Sequence, residues 1–190
     1  MLENLINKVV EDLAKYNNYT IEEVEIAKYT LKVILYEIIK ILLIVFIFSF
    51  LGYFKESLLI IFIMSVTKPF IGGYHEDTQI KCFIVTLLLV ALIIILFENN
   101  KLSFSSCSIL NLINIFAIYN KAPVINAKMP ITKKELIKKN RDIGIINSIV
   151  LIFISIIMFK VLLISQIIVW TILIQVILMF NKYDNKEVKK

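Results

Sequence analysis

Glycine and proline are scarce in this 190-residue chain, four and three in all, so little interrupts its apolar residues. Cysteine is limited to Cys82 and Cys107, which build no disulfide framework and fall in no paired zinc-ligand motif. Histidine occurs once, at His75. A metal site on His75 and Cys82 would need further ligands, and only Glu76 and Asp77 are near in sequence; no metal and no cofactor are expected. The N-terminal stretch carries Glu3, Glu11 and Asp12 and has no apolar core long enough for a secretory signal, so the first spans act as their own insertion signals. Acidic residues are the minority, 15 against 21 basic, for a formal charge of +6. That excess sits mainly in one polar segment and the tail, a pattern of membrane topology rather than of nucleic-acid binding.

What the chain has is hydrophobicity, 59% of its residues. A soluble domain of this size cannot hide so much apolar surface. The apolar residues come in long runs, as lipid-facing helices do. The expected fold is all-α: one polytopic membrane bundle with about six transmembrane helices and an amphipathic N-terminal region.

Residues 1–30 are the amphipathic part. Leu2, Leu5, Ile6, Val9, Val10 and Leu13 recur at helical spacing between polar residues, which suits a helix lying on a bilayer surface. Asn17-Asn18 ends it, and Thr20-Ile21-Glu22-Glu23 has the spacing of a capping box for a second helix. The first four hydrophobic segments occupy 33–119. The first, 33–51, carries Glu37 and Lys40, three residues apart and able to pair. The second begins near Leu58 and meets Lys68-Pro69, so it spans only if Lys68 snorkels and the segment continues to Tyr74. Residues 82–97 and 102–119 supply the third and fourth, the latter with Cys107, Asn111 and Asn114 along one side. Such a stripe faces other helices or water.

A basic loop follows at 120–142, with Lys121, Lys128, Lys133, Lys134, Lys138, Lys139 and Arg141 against Glu135 and Asp142. Residues 143–180 would reach roughly 57 Å as one helix, too long for one bilayer, so two spans turning near Lys160 are expected. A basic tail occupies 181–190. With both termini in the cytoplasm, segment 68–81, the basic loop and the tail all fall inside, in keeping with the positive-inside rule.

The chemistry-bearing segment is Lys68-Pro-Phe-Ile-Gly-Gly-Tyr-His75-Glu-Asp-Thr-Gln-Ile-Lys-Cys82. A thiol nucleophile needs a base such as imidazole within reach, and the first turn of a helix favours the thiolate. On one continuous helix, residues seven apart share a face but stand about 10 Å apart. A dyad therefore requires the helix to start after His75, with Gly72-Gly73 turning the histidine back toward the sulfur. A plainer reading stands beside it: an interfacial histidine, and a cysteine that fills space in a span.

The Lys-Pro-Phe-Ile-Gly-Gly-Tyr-His lead-in, the His-x6-Cys spacing, Ala122-Pro123, Pro130-Ile131 in a basic loop and two closing spans resemble the accessory gene regulator B (AgrB) family over nearly the whole chain. The resemblance implies a bacterial cell-membrane endopeptidase that cuts the C-terminal tail from an AgrD propeptide through an enzyme thioester. It then closes a thiolactone or lactone ring. Carried over, it makes Cys82 the nucleophile and His75 the general base and later acid, on the cytoplasmic side. Asp77 or Glu76 can orient the imidazole. Lys133, Lys134, Lys138, Lys139 and Arg141 can hold the acidic tail that such substrates carry, or simply serve topology and anionic lipid. Expected partners are the propeptide, the lipid bilayer and a second copy of the chain. The competing functions are a small transporter or channel using Glu37 and the asparagine stripe, and a non-catalytic membrane scaffold.

Overall fold

The computed structural model of the chain describes residues 2–17, 19–73, 78–125 and 133–180. It is all-α there, with helices α1 (Leu2–Asn17), α2 (Ile21–Phe50), α3 (Phe54–Ile71), α4 (Gln79–Asn99), α5 (Phe104–Lys121), α6 (Lys134–Ile157) and α7 (Leu162–Met179). No strand occurs among the described residues; the one bridge joins Gly72 to Val124. Contacts divide the chain into two compact units, Met1–Ile47 and Phe48–Lys190.

In the first unit α1 buries Ile6 and Val10, one turn apart on its apolar side. The capping box forms as its residues dictate. Glu23 accepts from the Thr20 N–H and hydroxyl, each at 2.8 Å, while the Glu23 N–H donates to Thr20 Oγ1 at 3.3 Å. Further along α2, Glu37 and Lys40 form an ion pair, so two charges enter the apolar run together.

The second unit is built around α7, which packs on α3, α4, α5 and α6. Short links hold it. Gly52, at φ 86°, closes the end of α2: the Tyr53 N–H reaches back to Phe48 and the Gly52 N–H to Ser49, the double bond of a Schellman turn. Ser103 caps α5 by accepting from the Ser106 N–H at 3.2 Å. The α6–α7 turn at 158–161 contains neither glycine nor proline; Val161 N–H donates to Met158 at 2.8 Å and Ile164 and Ser165 N–H groups return to Val161, so hydrogen bonds hold the reversal near Lys160.

Two boundaries differ from the sequence expectation. The second hydrophobic segment starts four residues earlier, at Phe54, and remains helical through Lys68 and Pro69 before ending at Ile71. Pro69 cannot donate to the carbonyl four residues back; beside that break, Asn147 of α6 donates to the Val66 carbonyl at 2.8 Å. The basic segment is also partly helical. α6 starts at Lys134, because Lys, Glu and Arg are good helix formers whatever their polarity.

Four helices, α2, α4, α6 and α7, are long and apolar enough to cross a membrane. Of the six spans expected, α3 and α5 are the two that fall short on composition. α3 carries Lys55, Glu56 and Lys68, and α5 carries its serines and asparagines.

Candidate functional site

The ends of α3, α5 and α7 come together with the first half of α6 at one end of the second unit. At its centre is the α3 terminus. Gly72, at φ 75°, and Gly73, at φ 123°, both take left-handed backbone that residues with a Cβ rarely adopt. The close approach is equally restrictive at Gly72, where an added Cβ would lie 2.1 Å from the Val124 carbonyl oxygen. The Val124 N–H in turn donates to the Ile71 carbonyl at 2.9 Å. Two stretches far apart in sequence, Ile71-Gly72 and Ala122-Pro123-Val124 with its cis Ala122–Pro123 peptide, are thereby stitched together.

Gly144 on α6 completes the packing. A methyl group there would come within 2.9 Å of Ile71 Cγ2 and 3.2 Å of the Phe70 carbonyl carbon. Sequence reasoning passed over Gly144 because a lone glycine in an apolar helix signals only a local cost, while its reason here is a neighbouring backbone. On the other side, a Cβ on Gly73 would stand 3.7 Å from the Leu178 carbonyl of α7.

Residues 74–77 lie outside the described residues, and with them His75, Glu76 and Asp77. The chain is described again at Thr78, an extended residue at φ −122° and ψ 148° that caps α4 by accepting from the Lys81 N–H at 3.3 Å. The helix therefore starts after His75, and no continuous helix holds the histidine and Cys82 at seven-residue spacing. Cys82 lies in the first turn of α4, half-buried, with its thiol in no disulfide. Its N–H donates to the Thr78 carbonyl at 2.9 Å, and its carbonyl accepts from Thr86 Oγ1 at 2.8 Å. The backbone that carries the sulfur is thus fixed on both sides.

Of the basic residues, Lys133, Lys134, Lys138, Lys139 and Arg141 are all exposed at the start of α6. Arg141 turns onto α5: its guanidinium donates to the Tyr119 carbonyl at 3.2 Å and stands 5.4 Å from that ring's centroid. Lys121 lies 5.5 Å from the Phe180 ring centroid. These contacts bind the ends of α5, α6 and α7 to one another.

The polar stripe of α5 is buried, and it bonds to other helices. Asn111 Nδ2 donates to Ser155 Oγ of α6 at 2.8 Å, Asn114 Nδ2 to the Val169 carbonyl of α7 at 3.4 Å, and the Cys107 sulfur lies 3.7 Å from Ser165 Oγ. With its amide nitrogen toward Asn100, Gln166 donates to that residue's carbonyl at 3.3 Å and accepts from the Leu102 N–H at 3.2 Å, tying α7 to the α4–α5 link. Among the described residues no cluster of three or more metal-ligating groups occurs.

The family model described as "Accessory gene regulator B" matches residues 3–179. An AgrB-like protein of Clostridium perfringens (strain 13 / Type A) is 48% identical over 186 residues, covering 98% of this chain and 100% of that protein. No solved structure matches the chain. On the family match and this near-complete likeness, the chain is a membrane protein of the accessory gene regulator B family, which implies a part in processing a quorum-sensing propeptide.

Proposed function

We propose that the protein is a membrane cysteine endopeptidase that removes the C-terminal tail of an AgrD-like propeptide, with Cys82 as nucleophile and His75 as its proton acceptor. The observation that carries this reading is the position of Cys82. It is partly exposed in a capped first turn, on a helix that begins only after His75, while the preceding helix has already ended at the two-glycine turn 72–73.

The reaction runs in two transfers. The Cys82 thiol gives its proton to the His75 imidazole, and the sulfur attacks the scissile carbonyl carbon. As the tetrahedral intermediate collapses the C–N bond breaks, His75 returns the proton to the departing amine, and the acyl group remains on Cys82 as a thioester. A thiol or hydroxyl within the acyl peptide then attacks the same carbonyl. That forms the thiolactone or lactone, and the sulfur leaves as the Cys82 thiol. Little free energy is lost when one thioester is exchanged for another, so keeping water away matters more than further activation. Asp77 or Glu76 orients the imidazole. Lys133, Lys134, Lys138, Lys139 and Arg141 form a cationic surface for an acidic tail on the cytoplasmic side, the side on which the basic segments place this end of the bundle.

Co-expression with the cognate propeptide tests the dyad. Cys82→Ala and His75→Ala are expected to leave the tail attached, with processing down by about 10²-fold or more. Cys82→Ser keeps the shape and loses the thiolate, and should fail equally. Normal processing by Cys82→Ala would return the transporter and scaffold readings to the front.

A further inference from the structure

Helix α5 ends on a carbonyl that its own chain cannot satisfy. The Ala122 N–H closes the last helical bond, to the Ile118 carbonyl at 2.8 Å. The next carbonyl, that of Tyr119, would take the N–H of residue 123, but that residue is Pro123 and has none to give. The donor comes from another helix. Arg141 Nη2 of α6 donates to the Tyr119 carbonyl at 3.2 Å, and the guanidinium carbon stands 5.4 Å from the Tyr119 ring centroid. A cation at that end also faces the negative pole of the helix dipole.

Two further contacts extend the reach of this cap. Past Pro123, the Val124 N–H donates to the Ile71 carbonyl at 2.9 Å, and Val124 pairs with Gly72. One turn along α6 from Arg141, Gly144 makes room for Phe70 and Ile71, where a Cβ would come within 2.9 Å of the Ile71 side chain. The same stretch of α6 thus touches the end of α5 through Arg141 and the end of α3 through Gly144. It sets the two ends side by side, as the Val124–Ile71 bond requires. Gly73 completes the turn, and His75 follows two residues later in the sequence.

We propose that Arg141, besides adding charge to the basic face of α6, is a positioning residue for the peptidase. By supplying the donor that Pro123 lacks, it holds Val124 against Ile71-Gly72, and so fixes the point from which the chain leads to His75. It acts through the backbone and not on the reacting atoms. The role in turnover rests on the peptidase reading; the grip on Val124 does not.

Hydrogen exchange of the full chain in nanodiscs, read by mass spectrometry on peptides that end on either side of Val124, tests the grip. Arg141→Ala should speed exchange of the Val124 amide about tenfold, because a hydrogen bond from a charged group is lost, while amides in the middle of α7 keep their wild-type rates. Lys139→Ala, which removes a like charge two positions away, should exchange as wild type does. Wild-type exchange at Val124 in Arg141→Ala overturns the inference whatever the activity. Equal acceleration by Lys139→Ala overturns it too, as does acceleration that extends through α7. Steady-state processing tests the consequence, with the propeptide supplied once with its acidic tail and once with the tail carboxylates changed to amides. Arg141→Ala should lower kcat about tenfold with KM unchanged, by the same factor for both tails. A rise in KM confined to the acidic tail would make Arg141 a tail contact and overturn the positioning role. If wild type processes neither propeptide, the peptidase reading fails, and the exchange result alone decides the grip on Val124.

Discussion

Helices α4 and α7 invert the rule learned from soluble proteins. Over their most apolar membrane-length stretches α4 is the more hydrophobic of the two, yet only 22% of that stretch is buried against 61% for α7. In water the order would be reversed. In a bilayer, lipid tails are as apolar as leucine, so hydrophobicity does not decide which helix goes inside. What distinguishes α7 is its polar residues: Ser165, Gln166, Thr171 and Gln175 are all at most 2% exposed. Such groups need partners that lipid cannot provide, and several find them on α3, α5 and the α4–α5 link. α4 instead presents Leu88, Leu92 and Ile95 outward, and its first turn carries Thr78 as cap and the half-buried Cys82.

The contrast can be broken where a backbone approaches most closely. Gly72→Ala adds a methyl group at positive φ against the Val124 carbonyl, which should cost about 3 kcal/mol or more and abolish processing together with stability. Unfolding in detergent followed by circular dichroism would measure it, and a wild-type midpoint would show that the α3 terminus relaxes freely. A smaller effect separates the two helices directly. Ile172→Ala on α7 removes a fully buried side chain and should cost about 2–4 kcal/mol, whereas Leu88→Ala on α4, 62% exposed, should cost under about 0.5 kcal/mol. Equal losses would mean that α4 is covered as fully as α7. A third effect concerns polar bonds. Thr67 Oγ1 lies 2.6 Å from Gln175 Oε1 and also donates to the Ile63 carbonyl, so Thr67→Val should cost only about 0.6 kcal/mol and at most about 1.7. A double cycle with Gln175→Leu isolates the pair.

The sequence made some of this legible and hid the rest, for physical reasons. The capping box at Thr20 and the Glu37–Lys40 pair were readable because their partners are three residues apart, inside one helix. The reversal near Lys160 was readable from length alone, since a mostly apolar run of 38 residues exceeds a bilayer, although no turn residue marks it. The Gly72-Gly73 turn was expected, and both residues do take positive φ. Hidden were the contacts that cross the bundle: Gly144 beneath Phe70, Val124 against Gly72, and Asn147 on the Val66 carbonyl. Each pairs residues at least 52 positions apart, and nothing in local periodicity encodes such a pairing. The helical start of α6 was hidden differently, because charge was read as loop. Cys82 stood out through its spacing from His75, and the structure adds the helix start at Gln79 that such a dyad requires.

The most direct measurement is the intact mass of the purified enzyme after co-expression with its propeptide, followed by peptide mapping before and after neutral hydroxylamine. The account predicts an acyl adduct equal to the propeptide without its tail, on the peptide containing Cys82, removed by hydroxylamine and lost in Cys82→Ala. An adduct on Cys107, or tail removal that persists when Cys82 is alanine, would contradict it.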